Sequence, residues 1–242
     1  MRDYLLDLVE HTLDLGCIDL VKIVGTTEET KIVAVASDGT SVVLLADFKN
    51  PVPEFVGTFG MPNLNKLKIL LNLQEYRENA KLAITHRAQT GAPDGINFEN
   101  AAGDFKNNYR FMAEEIVTDK LKTPKFAGVN WHVEFEPTVA GIQRLRMQAQ
   151  ANAEEPNFQA KTENGDLKFF FGDHSTHAGN FVFHPGVTGA LTRNWSWPVA
   201  QFQNILALSG NKKIYISNDG AAKITVDSGI AVYNYILPAQ SK

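Results

Sequence analysis

The residues whose spacing best suits metal chemistry are Asp173-His174-Ser175-Thr176-His177, with His184 further on. Imidazole and carboxylate side chains are zinc ligands. Two histidines three apart converge only on a helix, however, and this stretch reads as a Ser/Gly/His-rich connection between strands, with no Cys or nearby Glu to complete a tetrahedral set. A solvated turn therefore fits better than a hydrolase built on His174, His177 and His184. His11, His86 and His132 stand alone. No Gly-x-Ser-x-Gly, no Gly-x4-Gly-Lys-Ser/Thr and no Gly-x-Gly-x-x-Gly occurs in the chain. The one cysteine, Cys17, has Leu15 and Ile18 nearby and reads as a buried thiol suited to a reducing compartment. The sequence thus predicts no catalytic residue, no metal and no cofactor.

Charge placement is more informative. Net charge is −4, yet no carboxylate occurs from His174 to Asn218 or from Pro137 to Ala153. Residues 1–118 hold 11 bases and 17 acids, residues 119–242 hold 12 bases and 10 acids. A wet helix face normally mixes Glu with Lys, so helices stripped of acid suggest a surface facing a polyanion. On a helix from Thr138 to about Ala151, Ile142, Leu145 and Ala149 would face the core, leaving Arg144 and Gln148 outward with Arg146 at their flank. Lys66 and Lys68 lie off the Leu64, Leu67 and Leu71 stripe of an earlier helix. Gln201, Gln203 and Asn204 interrupt the apolar positions of a later one. Contacts of this kind hold phosphate without reading sequence.

The elements that must position these side chains come in two sets. Met61-Pro62 and Ile69-Leu70 return 136 residues later as Trp197-Pro198 and Ile205-Leu206, and Leu6 and Val9 return as Ile142 and Leu145. Ile32–Ala36 returns as Leu167–Phe171, one residue out of step. A common order of helix, strands, helix, strands predicts a duplicated α+β unit, each copy a curved antiparallel sheet covering two helices. The first helix is expected over Asp3–Leu15 with Leu6, Val9 and Leu13 inward and Gly16 ending it. Strands are expected at Val21–Gly25, Ile32–Ala36 and Ser41–Ala46; Pro51 and Pro53 then break the sheet pattern before the second helix, with Pro62 near its first turn. Strands at Leu82–His86, Gly95–Glu99 and Tyr109–Ala113 close the first copy. The connector TDKLKTPKFAG places the domains at 1–117 and 129–242, joined by 118–128. The second copy is expected to run through strands at Trp131–Phe135, Asn157–Thr162, Asp166–Phe171 and Asn180–His184. A helix from Pro198 to Leu208 and strands at Lys213–Ser217, Ala221–Val226 and Ile230–Leu237 complete it. No stretch approaches the roughly 20 apolar residues of a membrane span, and the acids of MRDYLLDLVEH stand where a secretory signal would be apolar, so no membrane or export is expected.

Tandem helix-pair-on-sheet units, acid-poor helices, a lysine-bearing connector, Leu44-Leu45-Ala46-Asp47-Phe48 and the closing run from Gly220-Ala221-Ala222-Lys223 to Tyr233-Asn234-Tyr235-Ile236-Leu237 together resemble DNA sliding clamps of the PCNA-like kind, nearest to those of T4-type bacteriophages. The resemblance implies a homotrimeric ring that encircles duplex DNA, is placed there by an ATP-driven clamp loader, and tethers the replicative DNA polymerase for processive synthesis. It also implies a part in late transcription and a location in the cytoplasm of an infected bacterium. Carried over, the DNA-facing residues are Lys66, Lys68, Arg144, Arg146, Gln148 and Asn204, with Lys212 and Lys213 at the last helix's end. A partner-peptide pocket falls on Leu121, Phe126, Ile236, Leu237 and Pro238. The first helix departs from the pattern, because Asp3, Asp7, Glu10 and Asp14 make it acidic and only Arg2 is favourable. A β-rich structural virion protein is the alternative, but a shell has no reason to strip acid from three helices.

Overall fold

The computed structural model describes residues 1–38, 41–122, 128–173 and 177–240. The chain divides into two units. Met1–Gly39, Val43–Pro124 and Asp227–Tyr233 form the first, and Thr40–Val42, Lys125–Val226 and Asn234–Lys242 the second. In chain order the first carries α1 (Arg2–Glu10), β1 (Leu20–Gly25), β2 (Thr30–Val35), β3 (Val43–Phe48), β4 (Gly57–Pro62), α2 (Leu64–Asn72), β5 (Lys81–His86), β6 (Pro93–Glu99), β7 (Lys106–Arg110) and α3 (Glu114–Lys120). Its strands lie in the orders β4-β1-β2-β3 and β5-β6-β7, all antiparallel. The second carries β8 (Val133–Phe135), α4 (Val139–Ala151), β9 (Asn157–Glu163), β10 (Asp166–Phe171), β11 (Gly179–His184), β12 (Ser196–Pro198), α5 (Val199–Ala207), β13 (Asn211–Ile216), β14 (Ala221–Asp227) and β15 (Ala231–Pro238), whose first residues belong to the first unit. Here the orders are β11-β10-β9-β12 and β8-β13-β14-β15. The tandem α+β architecture read from the sequence is therefore present.

Strand pairing defines the repeat more sharply than sequence. In the first copy Met61 pairs with Val21 and Ile23 with Ile32; in the second Trp197 pairs with Phe158 and Ala160 with Phe169. Ile32 thus corresponds to Phe169, 137 residues on (169 minus 32), and not to Leu167 as the sequence match had it. Both alignments keep the same face inward, because strand side chains alternate with period two, so hydrophobicity alone could not separate them. Met-Pro and Trp-Pro mark one structural corner: each ends a strand that leads directly into a helix, β4 into α2 and β12 into α5. The repeat breaks at Ile69, which is 53% exposed while Ile205 is buried.

Several elements differ from expectation. α1 stops at Glu10 and a short turn at Leu13–Leu15 follows, ended by Gly16 at φ 78°. The helix is broken at Thr12 (φ −126°, ψ −68°), whose hydroxyl donates to Leu8 O at 2.6 Å. Its inward residues are Leu5, Leu8 and Val9, not Leu6, Val9 and Leu13; Leu6 and Leu13 are half-buried. Asp7 is also inward. β4 occupies the stretch after Pro51 and Pro53 that carried no strand prediction, and Pro62 ends it, outside α2. β3 begins two residues later than read. The strand placed at Tyr109–Ala113 is β7, shifted to Lys106–Arg110, and the unpredicted α3 follows it. Ala149 is half-buried, the buried residues of α4 being Gly141 and Leu145.

Each unit has its own core. In the first, α1 lays Leu5 and Leu8 and α2 lays Leu64, Leu67 and Leu71 inward, all 0% exposed, along with Val21, Ile23 and Ile32 from the sheet. The second is aromatic: among Phe158, Phe169, Phe183 and Phe202 the rings in contact have centres 4.3–6.4 Å apart, with Trp197 beside Phe158. Burying such rings contributes on the order of 2–3 kcal/mol each.

Candidate nucleic-acid interface

α2, α4 and α5 contain neither Asp nor Glu. α2 begins at Asn63, held at φ 55° with its side chain accepting from Lys66 N–H, which satisfies one open donor of the first turn. Its leucines face inward, leaving Lys66 exposed and Lys68 half-buried. Lys68 Nζ lies 2.5 Å from Asp14 Oδ1, in the turn after α1. Arg2 is engaged as well. Its guanidinium donates to the carbonyls of Tyr76, at 2.6 Å, and Leu71, closing the end of α2.

α4 is capped by Thr138, whose hydroxyl accepts from Gly141 N–H at 3.0 Å. It packs so closely on β11 that a Cβ at Gly141 would sit 2.6 Å from Phe183 O. That approach and buried Leu145 turn Arg144 and Arg146 outward, both exposed. Arg144 Nη1 has only a 3.4 Å contact to Val182 O, at the weak limit of hydrogen bonding. Gln148 is half-buried, and its amide oxygen accepts from the buried Asn152 at 3.1 Å. Asn204 is exposed on α5, whose inward residues are Val199, Phe202, Ile205 and Leu206. Within the second unit, a groove of about 600 Å³ runs beside the end of α4 and the start of α5, lined by Arg146, Gln150, Gln201, Gln203 and Gln240 and by one carboxylate, Glu155.

Lys212 and Lys213 sit on β13, past the helix. Lys212 Nζ donates to Leu208 O at 2.5 Å and Gly210 O at 3.0 Å, supplying a cation to open carbonyls at the end of α5, and its burial pushes its pKa down. Lys213 pairs with Glu134 on β8, and that hydrogen bond pushes its pKa up. Lys223 on neighbouring β14 lies 3.9 Å from the Tyr215 ring centre and 5.2 Å from that of Trp131. Leu121, Ile236 and Leu237 are buried and Pro238 half-buried; Phe126 lies outside the described residues. His174 also lies outside them, and no group of three or more potential metal ligands gathers among the described residues. No described helix is long and apolar enough to cross a membrane.

Sequence reasoning missed the apolar side chains exposed on these same helices: Ile69 on α2, and Val139 and Met147 on α4, the last two 73% and 67% exposed. It also missed Asp14 as the partner of Lys68, because the two are 54 positions apart and meet only through the packing of α1 and α2.

The chain matches no protein-family model and no curated protein sequence. Solved structures do match. PCNA from Thermococcus kodakaraensis is similar with a TM-score of 0.66 at 12% identity, over 99% of this chain and 97% of that one. The A. fulgidus PCNA bound to the C-terminal region of FEN-1 is similar with a TM-score of 0.70 at 8% identity, over 100% and 97%. The two units together have the fold of a PCNA-like clamp.

Proposed function

We propose that this chain is a DNA sliding clamp, which encircles duplex DNA and tethers a replicative DNA polymerase. The observation that carries this reading is three helices without a carboxylate in an acidic chain of clamp fold. The clamp supplies no catalytic group; it acts by raising the polymerase's effective concentration at the primer terminus. Phosphate contacts from Lys66, Arg144 and Arg146, with amides from Gln148 and Asn204, would hold DNA without reading its sequence. Lys68, Lys212 and Lys213 are already paired and enter only by giving up those partners.

The unpaired strand edges support assembly with copies of itself. In the first unit the outer side of β3 is taken: Lys49 N–H donates to Ile230 O at 2.9 Å and β15 lies next to β3. The repeat makes β11 the counterpart of β3 and β7 the counterpart of β15, and both β11 and β7 are edge strands. Pairing β11 of one copy with β7 of the next would satisfy both edges, and three copies joined in this way would close a ring. An ATP-driven loader, partner proteins that dock through short peptides, and a T4-type phage setting with a part in late transcription complete the reading. Light scattering tests the assembly. A mass near three times 26.7 kDa supports the ring, and a stable monomer at micromolar concentration overturns it.

A further inference from the structure

Of the cations on the first unit's helix pair, Arg2 is taken up by two carbonyls and Lys68 by Asp14, while Lys66 is exposed to solvent. The second unit's α4 carries Arg144 and Arg146 with no acid on the helix. We propose that Asp14 sets the grip of the clamp, occupying Lys68 as a phosphate would and so keeping the first unit's contribution to DNA binding weak. This rests on the sliding-clamp reading above.

An exposed ion pair contributes little to stability, so the pair does not hold the fold together. Its consequence is that the Lys68 ammonium arrives at a polyanion already neutralised, with a carboxylate beside it that repels phosphate. The Asp14 and Lys68 side chains are 39% and 43% exposed, so duplex DNA would meet both. A ring that must slide gains from a grip weak enough to be released at each step, and an internal carboxylate supplies that without deleting the lysine.

The test is binding of the full chain to a fluorescent linear duplex of mixed sequence, read by anisotropy across a salt series. Asp14→Asn frees one phosphate contact per engaged chain, worth about eightfold tighter binding at 0.1 M salt and a log–log salt slope steeper by about 0.9. Adding Lys68→Ala to Asp14→Asn should abolish that gain, whereas Lys68→Ala alone should weaken binding less than Lys66→Ala. Asp14→Asn binding like the wild type, while wild-type binding is salt-dependent and weakened by Arg144→Gln/Arg146→Gln, overturns the role of Asp14 and leaves the clamp reading standing. Wild-type protein with no salt-dependent binding to duplex overturns the clamp reading itself.

Discussion

Neutralising Arg144 and Arg146 together gives the sharpest test of which face meets DNA. Both are exposed on α4, and Arg144 Nη1 lies a weak 3.4 Å from Val182 O, so Arg144→Gln/Arg146→Gln should leave folding intact. With Lys66, Arg144 and Arg146 each meeting one phosphate, an engaged chain has three such contacts, and binding should weaken about fortyfold between 50 and 200 mM salt. With only Lys66 left, the same change in salt should weaken it only about 3.5-fold, the slope having dropped by about 1.8. Anisotropy titrations of the two proteins against one linear duplex measure both slopes. Equal slopes, with thermal unfolding unchanged, would remove α4 from the interface and refute the argument from acid-free helices.

Further outcomes concern the scaffold. Asp7→Ala removes the buried carboxylate that accepts from Tyr233 Oη–H at 2.8 Å and Ser228 Oγ–H at 3.0 Å, and should cost about 1–3 kcal/mol in denaturant unfolding; an unchanged stability would contradict the network. Gly141→Ala forces a Cβ against Phe183 O and should destabilise by about 1–3 kcal/mol, seen as a lowered Tm of the second unit, while an unchanged Tm would mean that α4 can lift off β11 freely. Phe169→Ala should cost about 3–5 kcal/mol, read in the same melt, as it opens the aromatic cluster. Burial pushes the Cys17 thiol up to about 11 from 9.0. A raised thiol pKa means the folded chain keeps its proton longer than the unfolded one, so stability should fall as pH climbs from 9 towards 11. Native protein should accordingly resist thiol reagents at pH 8, and rapid labelling there would contradict the burial.

The helix pairs and most strands were legible because their periodicities are local. The Met-Pro and Trp-Pro pairs marked the starts of the two helices to within two residues, although both prolines end strands, β4 and β12, that the sequence reading does not contain. What sequence could not supply were contacts between distant positions. Asp7 reads as one of four acids on a wet helix, yet it is buried against His11, with Tyr233 and Ser228 some 220 residues away donating to it. Lys68 reads as a free cation and is paired with Asp14; Lys212 reads as DNA-facing and closes a helix end. The Asn164-Gly165 turn, with φ 55° and 83°, was visible as a two-residue hairpin signal between β9 and β10 and would have fixed that register directly.

Encirclement of duplex DNA depends on the topology of the duplex. Purified protein is incubated at high concentration with one duplex in two forms, linear with free ends and covalently closed circular, without a loader. A ring should associate with the linear form, by threading over its ends, and lose that association on the closed circle or when both ends carry bulky blocks. Equal binding to both forms would mark an ordinary groove-binding surface and contradict a ring.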